Sequence, residues 1–135
     1  MNNDFNQTVI QEFRSNEGKV GGNFEGRPML LLTTTGAKSD EQRTTPMMYL
    51  EEGDGLYVFA SMAGAPTSPA WYHNMVANHG VTVEVGADKF AANATVLDRA
   101  ERDRVYAKQA ALYSNFAEYE QKTTRVIPVV RLDRA

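Results

Sequence analysis

The sequence predicts a small α+β protein in which an antiparallel, barrel-like sheet of about six strands carries three helices. Six short runs favour strands, and most of them are separated by tight turns that contain glycine or aspartate. Three further segments have apolar residues at helical spacing or begin with a residue that caps helices. The length of 135 residues suits one domain with a substantial core, so residues 1–135 are predicted to fold as a single unit.

The first element is an amphipathic helix from about Asp4 to Ser15. Its large apolar residues share one face, and they are Phe5, Val9, Ile10 and Phe13. Asn3 or Asp4 is the predicted N-cap, and Gly18 with two later glycines ends the helix in a loose connection.

Three strands are predicted next, and they are Met29–Thr35, Pro46–Glu51 and Leu56–Ala60. The last two form a hairpin, because the four residues between them are rich in glycine and acidic side chains. A second helix then starts with Ser68 as its cap and Pro69 at its first position, and it ends near residue 80.

Another strand pair, joined by a turn at residues 86–89, is predicted at Val81–Val85 and Phe90–Leu97. Asp98 and Glu101 have the spacing of a capping box and begin a third helix, which runs to about residue 112. The last strand is Val126–Leu132. Its Pro128 indicates either an edge position in the sheet or an end of regular pairing.

Composition and charge exclude several classes of function. The net charge of −3 gives no reason to expect nucleic-acid binding, and the absence of cysteine excludes disulfides, thiolate catalysis and cysteine-ligated metals. His73 and His79 lie on different helical faces, so no metal site is predicted. No signal peptide is visible, and the longest apolar run, Met29–Leu32, is far shorter than the ~20 residues of a membrane span. A soluble, cytoplasmic protein is expected.

The first candidate site is the loop between the first two strands, within residues 33–46. Lys38 and Arg43 flank a short stretch rich in hydroxyl groups and free amide N–H groups. Such a loop can hold a phosphate through a point charge, fork-shaped donors and backbone amides, although P-loop spacing is absent. Asp40 and Glu41 weaken the positive field and must point outward if an anion binds. The alternative is a polar connection with two solvated cations.

The second candidate is Ala60–Asn74. Small residues after a strand let a flat ring approach the backbone, and the helix N-terminus that follows favours electron-rich groups. Here the alternative is that Trp71 and Met75 belong to the core and that Asn74 is a surface residue.

A third candidate is an aromatic stripe, Tyr113, Phe116 and Tyr119. In a helix or in helical turns these rings lie roughly on one side. They either cover a flat apolar ligand or pack onto the sheet.

Several segments resemble, in the same order, motifs of the deazaflavin-dependent nitroreductase family of actinobacteria. The motifs are Gly36–Ser39, Arg43–Pro46, Pro69–Asn74, Tyr119, Lys122–Thr123 and Arg125–Val129. The resemblance extends from about Phe5 to Leu132, which is nearly the whole chain. It implies a split β-barrel related to flavin-reductase folds that binds coenzyme F420. The implied reaction is hydride transfer from the reduced deazaflavin to a small-molecule acceptor, which is a quinone, a nitroaromatic or an activated enone.

The resemblance also implies roles for individual residues. Lys38 and Arg43 would hold the cofactor phosphate, with Ala37 and Ser39 lining the same loop. Further cofactor contacts are implied beneath the deazaflavin and around its ring, by Thr44, Thr45, Pro46, Met47, Met48, Phe59, Ala60, Ser61, Met62, Ala70, Trp71, Tyr72, His73, Asn74 and Tyr113. The substrate side is implied to contain Met48, Tyr113, Phe116 and Tyr119. The reduced product would take its proton from solvent, Tyr113 or Ser61.

The sequence departs from the family pattern at a few of these positions. Asp40 and Glu41 stand where the family commonly has Gly-Lys, and Met62 stands where some members have a basic residue. Phe116 replaces a tyrosine, and Met48 stands where the nitroimidazole-active member has a tyrosine. These departures weigh against prodrug-type nitroreduction more than against the cofactor.

Three alternatives stay open at this point. An FMN-dependent enzyme of the pyridoxamine-oxidase type would use Lys38 and Arg43 for its phosphate equally well. A non-catalytic F420 carrier or sensor would bind the deazaflavin without turnover. A quinone reductase peripheral to the inner face of the membrane would dock its first helix on lipid. Packing of that helix on its own barrel is favoured, because it is short and has few basic residues. The oligomeric state is left open.

Overall fold

The computed structural model describes residues 3–22 and 26–135, and of residues 3–5 it describes only the backbone. Four helices lie within these ranges, and they are α1 (Asn3–Ser15), α2 (Ala70–Ala77), α3 (Arg99–Leu112) and α4 (Ser114–Lys122). The same ranges contain seven strands. They are β1 (Met29–Thr35), β2 (Gln42–Met48), β3 (Leu50–Glu52), β4 (Gly55–Phe59), β5 (Gly80–Val85), β6 (Asp88–Val96) and β7 (Val129–Arg134).

All seven strands form one antiparallel sheet in the order β2-β1-β5-β6-β7-β4-β3. The two edge strands, β2 and β3, are separated along the chain by Tyr49 alone. Seven flat strands would place the edges roughly 29 Å apart, because neighbouring strands lie about 4.8 Å apart. Two peptide units span only about 7 Å. The sheet must therefore curl until its edges meet at Tyr49, which produces the predicted barrel-like shape.

Strand β1 is buried on both faces, which explains its continuous apolar run. Leu30 and Leu32 face the interior of the curled sheet, where α2 also packs. Met29 and Leu31 point to the opposite side and meet α1. On the remaining side, α3 and α4 cover β4 and β7 with an aromatic cluster around Tyr106. The sheet thus has packed helices on both of its faces.

The first helix forms as predicted and packs on the protein itself. Val9, Ile10 and Phe13 are buried in one cluster with residues of β1. The side chain of Phe5 and the predicted capping side chains of residues 3 and 4 lie outside the described part of the structure. Because the three described apolar side chains are covered by the sheet, they are not available to a lipid surface. In the described part of the chain, no helix combines the length and apolarity needed to cross a membrane.

The predicted strand Pro46–Glu51 is wrong in its start and in its continuity. Strand β2 begins at Gln42 and pairs residue by residue with β1, from Thr35↔Gln42 to Met29↔Met48. The extended segment is interrupted at Tyr49 before β3 begins, so the sheet has seven strands instead of about six. The first half of β2 is polar and exposed, so it has no apolar alternation to reveal it.

Two helix predictions also need correction. Ser68 does not cap α2, since Pro69 is the N-cap and the Ser68 hydroxyl accepts a hydrogen bond from Arg125. The helical stretch after residue 112 is a separate fourth helix, because extended backbone at Tyr113 ends α3 and begins α4. The cap at Asp98 is confirmed: its carboxylate accepts from the Glu101 amide at 2.9 Å.

The last strand starts later than predicted, at residue 129. It lies between β6 and β4, so the edge position that Pro128 suggested is wrong. The other option is confirmed, because Pro128 directly precedes the strand and only its carbonyl is used, accepting from the Ala60 amide at 3.0 Å.

Candidate active-site cleft

A cleft with two adjoining compartments runs from the loop after β1 to α4. The loop compartment, about 360 Å³, lies beside residues 36–39 and the first half of β2. The apolar compartment, about 980 Å³, lies between the second half of β2, the segment after β4 and α4. The two share the lining residues Asn6, Thr45, Ala70 and Trp71, so they form one continuous cleft. Strand β2 passes along both compartments.

The loop compartment is shaped by a tight turn at Gly36. The Gly36 amide donates to the Glu41 carbonyl at 2.7 Å, and the Asp40 amide donates back to the Gly36 carbonyl at 3.1 Å. A Cβ atom at position 36 would lie 2.4 Å from the Ser39 hydroxyl oxygen, so only glycine fits without a shift. This closure presents Lys38 at the tip of the turn, beside the compartment.

The side chain of Asn74 fastens this loop to α2. Its Oδ1 atom accepts from the Ala37 amide at 3.0 Å, and its Nδ2 atom donates to the Thr34 hydroxyl at 3.3 Å. Asn78, one turn later, donates to the Thr35 carbonyl at 3.4 Å. The two asparagines, in the middle of α2 and at its C-cap, therefore fix the loop relative to this helix. Asn74 is half-buried, and its contacts with the loop were not part of its interpretation as a surface residue.

The predicted phosphate ligands Lys38 and Arg43 are both exposed and both line the loop compartment. Asp40 is exposed and has a left-handed backbone, with φ of 59°. Glu41 is also exposed, yet its carboxylate lies 3.4 Å from the Arg43 guanidinium, with about two thirds of each side chain in solvent. Such a pair is weak, and it leaves Arg43 able to turn toward an anion.

The donor set of the loop compartment fits a phosphate. The amides of residues 36, 37, 40 and 41 are engaged within the loop or by Asn74. Those of Lys38 and Ser39 have no hydrogen-bond partner within the described residues. The two free amides and Lys38 at the turn, with Arg43 on the adjoining strand, match the requirements of a phosphate oxyanion.

The apolar compartment has largely non-polar walls that include several aromatic rings. Its residues come from β2, β4, the following segment, α2 and α4, and those predicted from the sequence are Thr45, Pro46, Met47, Met48, Phe59, Ser61, Met62, Ala70, Trp71, Phe116 and Tyr119. The rings of Phe59 and Phe116 meet edge to face at 5.5 Å, and those of Phe116 and Tyr119 at 5.3 Å. Trp71 packs in the core and also lines the cleft, with 8% of its surface exposed. The compartment suits a planar apolar molecule.

Four predicted site residues line neither compartment. Ala60 is fully buried, Tyr72 packs against the interior core, and His73 is exposed with its ring edge to face with that of Tyr72. Tyr113 is half-buried, and the Arg27 guanidinium lies 5.5 Å from its ring centroid. Of the two predicted proton donors, only Ser61 therefore faces the cleft.

Sequence reasoning missed several lining residues. Asn6 and Arg27 precede the first strand and reach the cleft only because α1 and the chain after it pack beside β2. No local pattern indicates this placement. Asn115 lies within the aromatic stripe and donates to the Tyr119 hydroxyl at 2.9 Å, so its position between those rings was a usable signal.

Comparisons with known proteins agree with this architecture. A family model described as F420H(2)-dependent quinone reductase matches residues 6–133. An F420H(2)-dependent quinone reductase of Mycobacterium tuberculosis is 38% identical over 126 residues, which cover 90% of this chain and 85% of that protein.

Two solved structures are similar over most of the chain. One is described as an F420-H2 dependent reductase, with a TM-score of 0.72, 39% identity, and coverage of 79% of this chain and 95% of the other. A second is described as a domain-swapped dimer, with a TM-score of 0.74, 33% identity, and coverage of 98% and 100%. The predicted split β-barrel is confirmed, with seven strands in place of six.

Proposed function

Because this chain belongs to the F420H(2)-dependent quinone reductase family, we propose that it transfers a hydride from reduced coenzyme F420 to a quinone held in the apolar compartment. Nitroaromatics and activated enones are further acceptors of the same flat, electron-poor kind. The observation that carries the proposal is that the two compartments are continuous. The cationic loop compartment opens directly into a compartment with largely apolar, aromatic walls.

The loop compartment supplies the groups that would hold the cofactor phosphate. Lys38 and Arg43 provide the charges, and the free amides of Lys38 and Ser39 add directed donors. Each charge-assisted hydrogen bond contributes roughly 1.5–3 kcal/mol. Asn74 keeps the loop in place for this task, because it ties the Ala37 amide to α2.

When bound, the reduced deazaflavin supplies the hydride, so the protein needs little acid–base chemistry of its own. The tasks of this chain are to fix two flat molecules against each other and to exclude water. Phe59, Trp71 and Phe116 provide rigid apolar walls for both tasks. Reduction of a quinone to a hydroquinone takes one hydride and one proton. Solvent donates that proton, either directly or through the hydroxyl of Ser61, which lines the cleft.

The acceptor is a small molecule, and lipid contact is no part of the proposal. The apolar face that a membrane would need is occupied by the protein's own core, at Val9, Ile10 and Phe13. We expect a cytoplasmic enzyme.

The test is anaerobic stopped-flow oxidation of the reduced cofactor with menadione, a nitroaromatic and a cyclic enone. We expect rapid oxidation by menadione that depends on the protein. Binding of F420 and of FMN, measured by fluorescence anisotropy, is the matched control for cofactor identity. Absence of acceleration across all three acceptors would favour a carrier, and tight binding of FMN alone would contradict the proposal.

A further inference from the structure

The segment between β4 and α2 forms one wall of the apolar compartment and has unusual backbone geometry. Ser61, Met62 and Ala63 line the cleft. Met62 and Ala63 have positive φ angles of 46° and 54°, and Gly64 follows with 83°. Left-handed backbone at two consecutive residues with side chains is unfavourable, and it persists only where the surrounding structure enforces it.

The Arg125 side chain holds this segment through four hydrogen bonds. Its Nε atom donates to the Ala65 carbonyl at 2.9 Å, and one terminal nitrogen donates to the Ser68 hydroxyl at 3.2 Å. The other terminal nitrogen donates to the carbonyls of Ala60 and Ser61, both at 3.0 Å. One planar group thus joins the start, middle and end of the segment and uses four of its five N–H donors.

These acceptors differ from those of a typical structural arginine. All four are neutral, and the described residues place no carboxylate in a salt bridge with Arg125. Burial lowers the pKa of Arg125 from its ordinary value, as expected for a desolvated cation without an anionic partner. Arg102 offers the contrast, because its guanidinium is buried and pairs with the carboxylates of Asp103 and Glu120.

Helix α4 holds the same segment from a second side. A Cβ atom at Gly64 would lie 2.9 Å from the Lys122 Cβ atom and 3.0 Å from the Tyr119 carbonyl oxygen. Tyr119 also lines the cleft. The position of the Ser61–Ala63 wall relative to the aromatic wall is therefore determined by Arg125 together with α4.

We propose that Arg125 is a positioning residue for hydride transfer. It acts through the Ala60–Ser68 backbone, which it holds in the conformation that places Ser61 and Met62 against the bound molecules. The proposal rests on the proposed function. Residues 61–63 do not line the loop compartment. Loss of the Arg125 guanidinium should therefore slow the hydride step far more than it weakens cofactor binding.

The experiment compares Arg125→Lys with Arg131→Lys, a matched change at a half-buried arginine on β7. Arg131 bonds to Asp133 and to the Tyr57 hydroxyl and lines neither compartment. Both variants should unfold at a lower temperature. In stopped-flow with menadione, we expect Arg125→Lys to reduce the hydride-transfer rate constant by about 10- to 100-fold, the effect of a misplacement on the order of 1 Å. The Kd for F420 should change by less than about threefold, since Lys38 and Arg43 are untouched. Arg131→Lys should leave both constants unchanged.

Two further readouts separate positioning from general destabilisation. Arg125→Ala should regain part of its rate when guanidinium is added far below denaturing concentrations, whereas ammonium should have no effect. The Gly64 and Ala65 amides, which donate to the carbonyls of Ser61 and Met62, should exchange faster in Arg125→Lys but not in Arg131→Lys. Because this exchange is measured without cofactor, it tests whether Arg125 holds the segment even if no acceptor is reduced. Equal losses of rate in the two lysine variants, or unchanged exchange of these amides, would overturn the proposal.

Discussion

At the scale of single residues, the clearest prediction concerns Lys38 and Arg43, the two cations of the loop compartment. Replacing Lys38 and Arg43 together by alanine removes two charge-assisted contacts, each worth roughly 1.5–3 kcal/mol. We therefore expect F420 affinity, measured by fluorescence anisotropy, to fall by at least about 100-fold. Arg99→Ala, an exposed cation on α3, is the control and should change nothing. Unchanged affinity in the double variant would remove the phosphate assignment.

Glu41 is expected to oppose cofactor binding, because its carboxylate competes with a phosphate for Arg43. Glu41→Gln should raise F420 affinity by about two- to fivefold, the range expected for an exposed ion pair of about 0.5–1 kcal/mol. The gain should shrink as salt screens both charges. Asp40→Asn is the matched control, since asparagine tolerates the left-handed backbone at that position. An equal gain from both variants would point to net charge rather than to the contact with Arg43.

Some features of the site could be predicted from the sequence, and others could not. Lys38 and Arg43 are visible as cations around a glycine turn, and the structure places both beside the loop compartment. The bonds from Asn74 to the loop and from Arg125 to the segment after β4 connect residues far apart in the sequence. Their partners are backbone groups, which every residue has, so no residue type marks them in advance.

At the scale of elements, an ion pair between half-exposed Arg14 and buried Glu84 fastens α1 to the sheet. Arg14 donates to both oxygens of Glu84 on β5, at 3.1 and 2.8 Å, and Glu84 is 8% exposed. These hydrogen bonds hold the pKa of Glu84 below its ordinary value, although burial opposes the shift. A carboxyl with a lowered folded-state pKa stabilises the fold above its unfolded pKa, and this contribution is lost as pH falls through the folded value.

Glu84→Gln should therefore lower the free energy of unfolding by about 1–2 kcal/mol at pH 7, since Arg14 is half exposed. The difference from the wild type should persist down to about pH 5 and shrink below the unfolded pKa of about 4.3. Urea denaturation across this pH range measures it, and Glu41→Gln serves as the exposed-pair control without effect on stability. A difference that does not depend on pH would argue for lost packing instead.

The strands and helices also show which parts of the fold local sequence patterns predict and which they do not. Strand β1 was predicted to the residue because its apolar run and the following glycine are local signals. The polar half of β2 was missed, since its pairing with β1 is made by backbone groups along an edge strand. The third helix ends at residue 112 as predicted, but α4 was not counted because its start has no capping signal: Tyr113 is the N-cap and makes no side-chain cap hydrogen bond.

At the scale of the whole molecule, the curled sheet creates the cleft. Turn-linked strands predict an antiparallel sheet, but the order that puts β7 between β6 and β4 depends on long-range pairing. That order brings α4 beside β2 and completes the apolar compartment. The resemblance to a family located most of these lining residues, whereas periodicity alone did not, because periodicity describes one element at a time.

Because the cleft is assembled from distant segments, a bound cofactor should protect them together. We expect F420 to slow amide hydrogen exchange in the segments that line the cleft, which are residues 36–48, 59–63, 69–74 and 115–119. The β5–β6 hairpin lines neither compartment and should exchange at an unchanged rate. In the Lys38→Ala, Arg43→Ala variant, protection at the same cofactor concentration should disappear from all four segments at once, since binding is one event. Protection confined to residues 36–48 would mean that the phosphate binds while the ring stays outside the apolar compartment, and it would contradict the continuous cleft on which the proposed reaction depends.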